Sequence, residues 1–279
     1  MNAADIAGFV LAAGRGSRLR PLTDRIPKPL CPVAGVPLVD HALARLPLPD
    51  ECIAVNAHHL ADQLIDHLRT AGRAVHVQRE DPVALGTAGA IGAARAWIAG
   101  RHVLVQNADA WSPASIDRLL DGWDGTRPRL LVEATDAPAD FGRYRFVGTS
   151  LLPASVAATL PATPTGLYEV VWRAAWDAGG LELVEAEPGS TIDCGTPADY
   201  LRANLRASGG RSVVHPTARI DGTVERCVVL AGAVVAADEH LVECIRAADG
   251  LTIRADLPSP ADPLPGTATD TVRRGATDG

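Results

Sequence analysis

A loop rich in glycine and arginine follows the first apolar run of the chain. Five positive charges lie within residues 15–28, at Arg15, Arg18, Arg20, Arg25 and Lys28. Gly14 and Gly16 allow the backbone of this loop to turn with positive φ and to present N–H groups to an anion. Asp24 is the one acid of residues 15–28, whereas the whole chain has a net charge of −7. This local positive charge predicts a phosphate-binding loop that could hold a triphosphate.

Two widespread phosphate-binding motifs are missing from the loop. The dinucleotide motif GxGxxG would need glycine at Leu19, and the sequence has no GxxxxGK[ST] stretch. The sequence therefore supports neither a dinucleotide-binding fold nor a P-loop.

Lysine is nearly absent from this chain, which has 25 arginines and one lysine, Lys28. In a chain with this bias, lysine is expected to persist only where arginine cannot replace it, or by accident. The position of Lys28 inside the phosphate loop favours the first explanation, because a compact ammonium and a planar guanidinium bind phosphates differently. We therefore predict a functional role for Lys28.

Apolar runs of strand length alternate with helical segments from residue 6 to residue 207. The predicted strands cover 6–11, 52–56, 74–77, 102–106, 129–133, 144–149 and 181–185; the predicted helices cover 37–46, 61–69, 87–98, 166–178 and 197–207, the last with Thr196 as its N-cap. This alternation predicts a Rossmann-like α/β fold, with a mostly parallel sheet and helices on both of its faces. Ligands bind such sheets at the carboxyl ends of the strands, where the glycine loop and Asp109 both lie.

The sequence pattern changes after residue 208. Gly209-Gly210 is typical of a linker, and apolar residues then recur six apart at Val229, Val235 and Leu241. This spacing predicts a short left-handed β-helix-like cap over 211–254, although a few irregular strands would also fit. We thus predict an α/β domain over 1–208, the cap, and a disordered tail over 255–279, where apolar residues are scarce.

Composition excludes several classes of function. The pI near 5.6 argues against a nucleic-acid binder, whose surface would be basic. Residues 6–13 are too few to span a membrane and do not resemble a signal peptide. The five cysteines are far apart and form no CxxC pair, so we expect free thiols, a reducing compartment and a cytoplasmic protein.

The phosphate loop and four later stretches resemble the sugar-1-phosphate nucleotidyltransferases, also called NDP-sugar pyrophosphorylases. The stretches are LAAGRGSRLRPLTDRIPKPLCPVAGVP at 11–37, NAHHLADQLIDHL at 56–68, LGTAGAI at 85–91, LVQNAD at 104–109 and IDCGTPADYLRAN at 192–204. The chain most resembles members that act on N-acetylmuramate 1-phosphate or mannose 1-phosphate. The resemblance implies that a sugar 1-phosphate attacks the α-phosphorus of a nucleoside triphosphate and that pyrophosphate leaves, with no covalent enzyme intermediate.

The resemblance also implies roles for individual residues. Arg18 would hold the β- and γ-phosphates and Lys28 the α-phosphate, while Asp109 and Asp193 would bind Mg²⁺. The predicted nucleotide contacts are Leu11, Ala12, Ala13, Gly14, Arg15, Gly16, Gln78, Gly86 and Thr87.

The sugar side of the site departs from the family. Many relatives have a second lysine, in a Glu-Lys-Pro segment, that this chain lacks, and Thr191 stands where an aromatic residue is common. The residues that we predict to bind the sugar phosphate are Asn107, Gly148, Glu169, Arg143 and Arg145. The nucleotide and the sugar therefore stay open, with uridylyl, thymidylyl and guanylyl transfer all possible.

Two other functions remain compatible with the sequence. A catalytically weak relative could bind nucleotide sugars and regulate a partner, which would suit the shortened sugar region. The second function is nucleotidyl transfer to an acceptor that is not a sugar, although the PLT and GTP segments count against it. The cap also implies a homodimer, because caps of this kind often support dimers in the family.

Overall fold

The structure is a computed structural model that describes residues 5–255 and Leu257. The tail predicted to be disordered therefore lies, apart from Ala255 and Leu257, outside the described residues. Within that described part, no helix combines the length and the apolar character needed to cross a membrane.

The α/β part of the chain contains eleven strands, several of them only two residues long. The strands are β1 (Ile6–Leu11), β2 (Pro32–Val33), β3 (Val36–Pro37), β4 (Ile53–Ala57), β5 (His76–Arg79), β6 (His102–Asn107), β7 (Ala110–Trp111), β8 (Arg129–Ala134), β9 (Tyr144–Leu152), β10 (Glu182–Glu185) and β11 (Ile192–Asp193). The α-helices are α1 (Leu38–Arg45), α2 (Ala61–Thr70), α3 (Gly86–Ala93), α4 (Arg95–Ile98), α5 (Asp117–Leu120), α6 (Ala154–Ala157), α7 (Arg173–Asp177) and α8 (Pro197–Ala207).

A seven-stranded sheet in the order β10-β8-β9-β6-β1-β4-β5 forms the centre of the fold. Four of its strand pairs are parallel, which confirms the predicted mixed α/β class with a largely parallel sheet. Strand β9 is the exception and runs antiparallel to both neighbours. The connection from β8 to β9 is too short for a crossover helix, so the two strands form a hairpin.

Helices cover both faces of this sheet, as the alternation predicts. Val10 of β1 packs with Leu43 of α1 and Leu64 of α2 in one apolar cluster. The neighbouring Phe9 points to the other face, where it packs with Ile91 of α3. Because successive side chains of a strand point to opposite faces, a strand buried on both sides is apolar throughout.

The helix predicted over 87–98 is in fact two helices, α3 and α4, separated at Ala94. Gly89 and Gly92 of α3 lie directly against the carbonyl groups of Thr163 and Pro161. A Cβ atom at either glycine would collide with that backbone, so the small residues of α3 allow the 160–165 segment to pack against it. The segment after it, predicted as one helix over 166–178, forms a π-helical turn (Tyr168–Trp172) that continues into α7.

Helix α8 follows the prediction at both ends. The side chain of Thr196 accepts a hydrogen bond from the backbone N–H of Asp199, which confirms it as the N-cap. The Tyr200 hydroxyl donates to the Pro32 carbonyl at 2.6 Å. Helix α8 is thereby tied to the end of the phosphate loop, and both belong to a third apolar cluster.

The chain after α8 consists of short strands that pair mostly in parallel. They are β12 (Val213–Val214), β13 (Arg219–Ile220), β14 (Thr223–Glu225), β15 (Val228–Val229), β16 (Val234–Val235), β17 (His240–Val242), β18 (Cys244–Arg246) and β19 (Thr252–Arg254). Val213 pairs with Val228, Arg219 with Val234, and Thr223 with His240. Strand β19 closes the segment antiparallel to β18.

Candidate functional site

The phosphate loop leaves the sheet at the end of β1. Leu11, the last residue of β1, pairs in parallel register with Asn107, the last residue of β6. The loop that starts at Ala12 and the segment that carries Asp109 therefore begin side by side at the carboxyl edge, as predicted. Three short 3₁₀ turns follow in the loop, the last of which begins at Lys28.

Gly16 is the loop glycine that turns with positive φ, at 61°. A Cβ atom there would lie 2.9 Å from Cγ2 of Thr23 and 3.1 Å from Cβ of Lys28. Gly14 does not have a positive φ, so this expectation is wrong for Gly14. Open space surrounds its Cα instead, which leaves its backbone accessible to a ligand.

Lys28 lies between the two carboxylates that the resemblance assigns to magnesium. Its Nζ atom is 3.2 Å from Oδ2 of Asp109 and 3.1 Å from Oδ1 of Asp193. The lysine side chain is 6% exposed, whereas the side chains of Asp109 and Asp193 are 44% and 47% exposed. The cluster thus presents carboxylate oxygens to solvent above a buried ammonium.

The charge of Lys28 depends on these two neighbours. Burial lowers the pKa of Lys28, but the nearby carboxylates of Asp109 and Asp193 and their hydrogen bonds raise it, and the net pKa is above its usual value of 10.5. Lys28 is therefore a permanent cation at neutral pH.

A small antiparallel ribbon brings Asp193 to the cluster. Strand β11 pairs with β7, so that Asp193 lies opposite Ala110, next to Asp109. The backbone N–H of Cys194 also donates to the Asp109 carbonyl at 3.0 Å. Backbone pairing between the segment of Asp109 and the segment of Asp193 thus keeps the two aspartates next to each other.

The segment that enters β11 is fixed by Glu133, a buried residue that sequence reasoning missed. Its Oε1 atom accepts hydrogen bonds from the Ser190 hydroxyl at 3.0 Å and from the Thr191 N–H at 2.9 Å. Its Oε2 atom lies 3.4 Å from Arg145. A polar residue in the apolar strand β8, RLLVEA, is the one sequence signal that could have indicated it.

Arg18 joins the cluster from the phosphate loop. Its Nη2 atom is 3.1 Å from Oδ2 of Asp193, and its side chain is 66% exposed. Gly195 makes this approach possible, because a Cβ atom there would lie 2.6 Å from Nη2 of Arg18. Arg15 is exposed at the start of the loop, while Arg20 pairs with Asp24.

A hydrogen-bonded chain links the phosphate loop to the predicted base-binding segment. Asn56 accepts from the Ala12 N–H at 2.7 Å and donates to Glu80 Oε1 at 2.8 Å. Glu80 Oε2 in turn accepts from the Leu85 N–H at 2.7 Å, just before Gly86 and Thr87. Glu80 is 3% exposed and was also missed from the sequence.

Two of the predicted base contacts make hydrogen bonds within the protein. Gln78 donates from Nε2 to the Ala90 carbonyl at 3.0 Å, which fixes the amide against α3. The Thr87 hydroxyl accepts from the Leu167 N–H at 2.7 Å. Gly86 has a φ of 70°, and a Cβ atom there would lie 2.6 Å from the Thr165 carbonyl oxygen.

A cavity of about 300 Å³ opens beside these residues at the carboxyl edge of the sheet. Leu11, Thr87, Asn107 and Glu169, all predicted site residues, contribute to its lining. Gly148 lies just behind it, because a Cβ atom there would be 3.4 Å from Cβ of Asn107. The structure thus brings two of the predicted nucleotide residues and two of the predicted sugar residues to one cavity.

Arg143 and Arg145 do not line this cavity. Arg145 pairs with Glu133, and Arg143 lies over the ring of Tyr144 at 5.2 Å. Because side chains alternate along β9, Arg145 points to the opposite side of the strand from Phe146, which does line the cavity. The two arginines are therefore not placed to replace the missing lysine in the cavity.

Comparisons with known proteins agree with this geometry. Residues 7–140 match the family model for nucleotidyl transferases. They belong to the nucleotidyl transferase family.

Two relatives of this nucleotidyl transferase domain are named for a sugar 1-phosphate. An N-acetylmuramate α-1-phosphate uridylyltransferase from Caulobacter vibrioides is 40% identical over 138 residues, which are 46% of this chain and 57% of the relative. A probable mannose-1-phosphate guanylyltransferase 1 from Oryza sativa subsp. japonica is 28% identical over 85% of this chain and 80% of its own. The resemblance to sugar-1-phosphate nucleotidyltransferases is thereby confirmed. The chain spans little more than half the length of the Caulobacter relative.

A solved structure supports the fold at lower identity. The crystal structure of HddC from Yersinia pseudotuberculosis is 21% identical and superposes with a TM-score of 0.59, over 72% of this chain and 99% of that one. At this identity the match concerns the fold.

The matched domain contains only part of the candidate site. Arg18, Lys28 and Asp109 lie within residues 7–140, whereas Glu169 and Asp193 come from the chain after it. The nucleotidyl transferase domain therefore supplies the phosphate loop and one aspartate, and the following 60 or so residues complete the cluster and the cavity.

The donor set of the cluster suits a hard divalent cation. Asp109 and Asp193 offer carboxylate oxygens on one partly exposed surface. In residues 5–255 and Leu257, no group of three or more His, Cys, Asp or Glu side chains is placed to hold a metal. Magnesium commonly takes one or two carboxylates and completes its octahedron with phosphate oxygens and water, so the two aspartates fit it.

Proposed function

We propose that this chain catalyses the Mg²⁺-dependent transfer of a nucleotidyl group from a nucleoside triphosphate to a sugar 1-phosphate, giving an NDP-sugar and pyrophosphate. The observation that carries the proposal is the position of the Lys28 ammonium between Asp109 and Asp193, at the edge where the phosphate loop ends. This edge is where a parallel α/β sheet binds its ligands.

The loop would bind the triphosphate through backbone N–H groups and arginines. Residues 11–16 supply the backbone near the nucleoside, and the exposed guanidinium of Arg18 can contact two phosphate oxygens at once. Gln78, Gly86 and Thr87 would meet the base. Their hydrogen bonds to α3 and to Leu167 hold this segment before the nucleotide arrives.

Lys28 would act where the bond changes occur. A phosphate oxygen of the sugar 1-phosphate attacks the α-phosphorus, the bond to the bridging β-oxygen breaks, and pyrophosphate leaves with the electron pair. Lys28 neutralises negative charge on the α-phosphate as the two anions approach, because its raised pKa keeps it protonated. The chain supplies positioning and charge, and no protein nucleophile is needed.

Asp109 and Asp193 would hold the magnesium ion. Bound there, Mg²⁺ would neutralise phosphate oxygens and orient the leaving pyrophosphate. Glu133 keeps Asp193 in place through the Thr191 N–H, and the β7–β11 ribbon keeps it beside Asp109.

The sugar 1-phosphate would occupy the cavity beside Asn107. Glu169 can accept hydrogen bonds from ring hydroxyls there, and the absence of a side chain at Gly148 leaves the Asn107 amide room. Arg143 and Arg145 do not line this cavity, so we do not assign them to sugar binding.

We also propose that 1–208 forms the catalytic domain and that 211–254 forms a short left-handed β-helix-like cap. The support for the cap is the parallel pairing of strands 15 to 17 residues apart, Val213 with Val228 and Val228 with Ile245. A homodimer through this cap stays a prediction.

Pyrophosphate release tests the proposed function. The purified chain is incubated with Mg²⁺, five nucleoside triphosphates and a panel of sugar 1-phosphates, with Asp109→Asn as the blank. Release with one nucleotide and one sugar, abolished in Asp109→Asn and by chelation of the metal, supports the proposal. No release from any combination, while a nucleotide sugar still raises the melting temperature, would replace it with a binding function.

A further inference from the structure

The cavity that would hold the sugar has an unusual distribution of charge. Most of its lining is apolar or aromatic, with Phe146 and Trp172 forming one wall, their ring centroids 4.6 Å apart. Asn107 and Thr87 contribute neutral polar groups. Glu169 is the one charged side chain among the lining residues, all of which lie in the described part of the chain.

The Glu169 carboxylate lies close to the backbone of Gly166 in the wall of the cavity. Gly166, another lining residue, makes this possible, because a Cβ atom there would collide with Oε2 of Glu169. Glu169 is exposed and lines the cavity, so a ligand bound there can reach its carboxylate.

Basic side chains near the cavity are engaged elsewhere. Arg145 points away from it and pairs with Glu133, while Arg143 packs on Tyr144. Lys28 and Arg18 belong to the phosphate end of the site, where they contact Asp193. An acidic substituent on the sugar ring would therefore meet Glu169 with no cation in the lining to compensate it.

Resting on the proposed function, we infer that the acceptor is a sugar 1-phosphate whose ring carries only neutral or cationic substituents. Sugars with an added carboxylate, such as uronic acids and N-acetylmuramate, are selected against by Glu169. The aromatic wall of Phe146 and Trp172 favours a sugar that presents a C–H face.

This inference separates the chain from its Caulobacter relative. N-acetylmuramate 1-phosphate, the sugar phosphate in that relative's name, carries a lactyl carboxylate. Glu169, Phe146 and Trp172 lie outside residues 7–140, the part matched by the family model. The shared domain therefore does not determine the charge of the sugar pocket.

Two matched pairs of acceptors test the inference on the wild-type chain. The first is glucose 1-phosphate against glucuronic acid 1-phosphate, and the second is N-acetylglucosamine 1-phosphate against N-acetylmuramate 1-phosphate. In each pair the second member carries a carboxylate that the first lacks; in the second pair this carboxylate is part of an added lactyl group. The value of kcat/KM is measured by pyrophosphate release with the preferred nucleotide. We expect the neutral member to be favoured at least about fivefold, and the ratio to shrink at high salt because the repulsion is screened.

Two variants connect the selectivity to Glu169. Glu169→Gln keeps the size of the side chain and one acceptor oxygen but removes the charge, and should raise kcat/KM for the acidic member, mainly through KM. Gly166→Ala keeps the charge but displaces the carboxylate, and should weaken the discrimination in the same direction. Glu225→Gln, an exposed substitution in β14, is the matched control and should leave the ratio unchanged.

The outcomes separate this inference from the proposed function. Equal or better use of the acidic member by the wild-type chain overturns the inference and leaves the proposed function standing. The absence of pyrophosphate release with every acceptor tested overturns the proposed function and the inference with it. A preference for the neutral member that Glu169→Gln leaves unchanged, in a variant with wild-type melting temperature, also overturns the assignment to Glu169.

Discussion

The Nζ atom of Lys28 lies 3.1 Å from Oδ1 of Asp193, a residue 165 positions later in the chain. The lysine comes from the phosphate loop after β1, and the aspartate comes from a two-stranded ribbon outside the central sheet. This contact joins the matched nucleotidyl transferase domain, which contains Lys28, to the following part of the chain, which contains Asp193.

Replacing Lys28 by arginine should remove most of the turnover. The lysine side chain is 6% exposed and contacts both aspartates, so a larger planar guanidinium cannot occupy the same space. We expect Lys28→Arg to lower kcat roughly 100-fold or more, as for the loss of a group that stabilises transition-state charge. Pyrophosphate release measures the effect, and circular dichroism checks that the fold is retained.

Arg69→Lys is the control for this exchange, because Arg69 is 75% exposed on α2, away from the site. It should behave like the wild type. Near-normal turnover in Lys28→Arg would show that any buried cation suffices at this position.

Adding a methyl group at Gly195 should impair catalysis more than stability. A Cβ atom there would lie 2.6 Å from Nη2 of Arg18 and 3.0 Å from Oδ2 of Asp193. Both are ends of exposed side chains that can move, so we expect a loss of stability below about 1 kcal/mol together with at least about tenfold lower kcat/KM for the nucleotide. Steady-state kinetics and thermal unfolding measure the two effects. A large drop in melting temperature with unchanged kcat/KM would contradict this explanation.

Removing the charge of Glu133 should loosen the segment that carries Asp193. Glu133→Gln replaces an acceptor of several hydrogen bonds by a group that can accept at only one of its two atoms. We expect unfolding free energy to fall by about 1–3 kcal/mol, the cost of leaving buried polar groups unpaired. We also expect the Mg²⁺ concentration for half-maximal activity to rise. Glu187→Gln, exposed in the same segment, should change neither quantity.

The pH dependence of stability reports on the Lys28 cluster. Burial lowers the pKa of Lys28, the two carboxylates raise it, and the net value is above 10.5, so the folded state holds this proton more tightly than the unfolded state. The stabilisation is therefore fully present below the unfolded pKa and is lost as pH rises through the folded one. The difference in unfolding free energy between the wild type and Lys28→Met should be constant from about pH 6 to 9 and should shrink above about pH 10.5. A difference that already shrinks below pH 9 would mean that Lys28 is not held as a cation.

Local patterns in the sequence were sufficient to predict the phosphate edge of the site. An apolar run followed by glycines and arginines indicates that a loop follows strand β1. Asp109 likewise follows an apolar run, which forms the neighbouring strand β6. The register of Leu11 with Asn107 is the direct consequence. The hairpin of β8 and β9 was not predicted, because its direction depends on the length of the connection and not on the strand pattern.

Buried carboxylates were the part that sequence reasoning could not supply. Glu133 accepts the backbone N–H of Thr191, 58 positions later, and Glu80 accepts from Asn56, 24 positions earlier, so their partners cannot be read from the neighbouring sequence. Asp193 was assigned through the family resemblance alone, since its strand has two residues and shows no periodicity. The close packing of Gly89 and Gly92 of α3 against the 160–165 segment joins residues about 70 positions apart, which no local pattern encodes.

That contact gives a stability prediction separate from the chemistry. A Cβ atom at Gly92 would collide with the Pro161 carbonyl, and backbone cannot move as freely as a side-chain end. Gly92→Ala should therefore cost about 1–3 kcal/mol of unfolding free energy, even though alanine favours a helix over glycine by about 1 kcal/mol. Gly180→Ala adds the same methyl group where the nearest atom is 3.6 Å away, and should stay within about 0.5 kcal/mol of the wild type. Urea unfolding of the three proteins makes the comparison, and equal midpoints for Gly92→Ala and the wild type would show that α3 does not pack tightly against this segment.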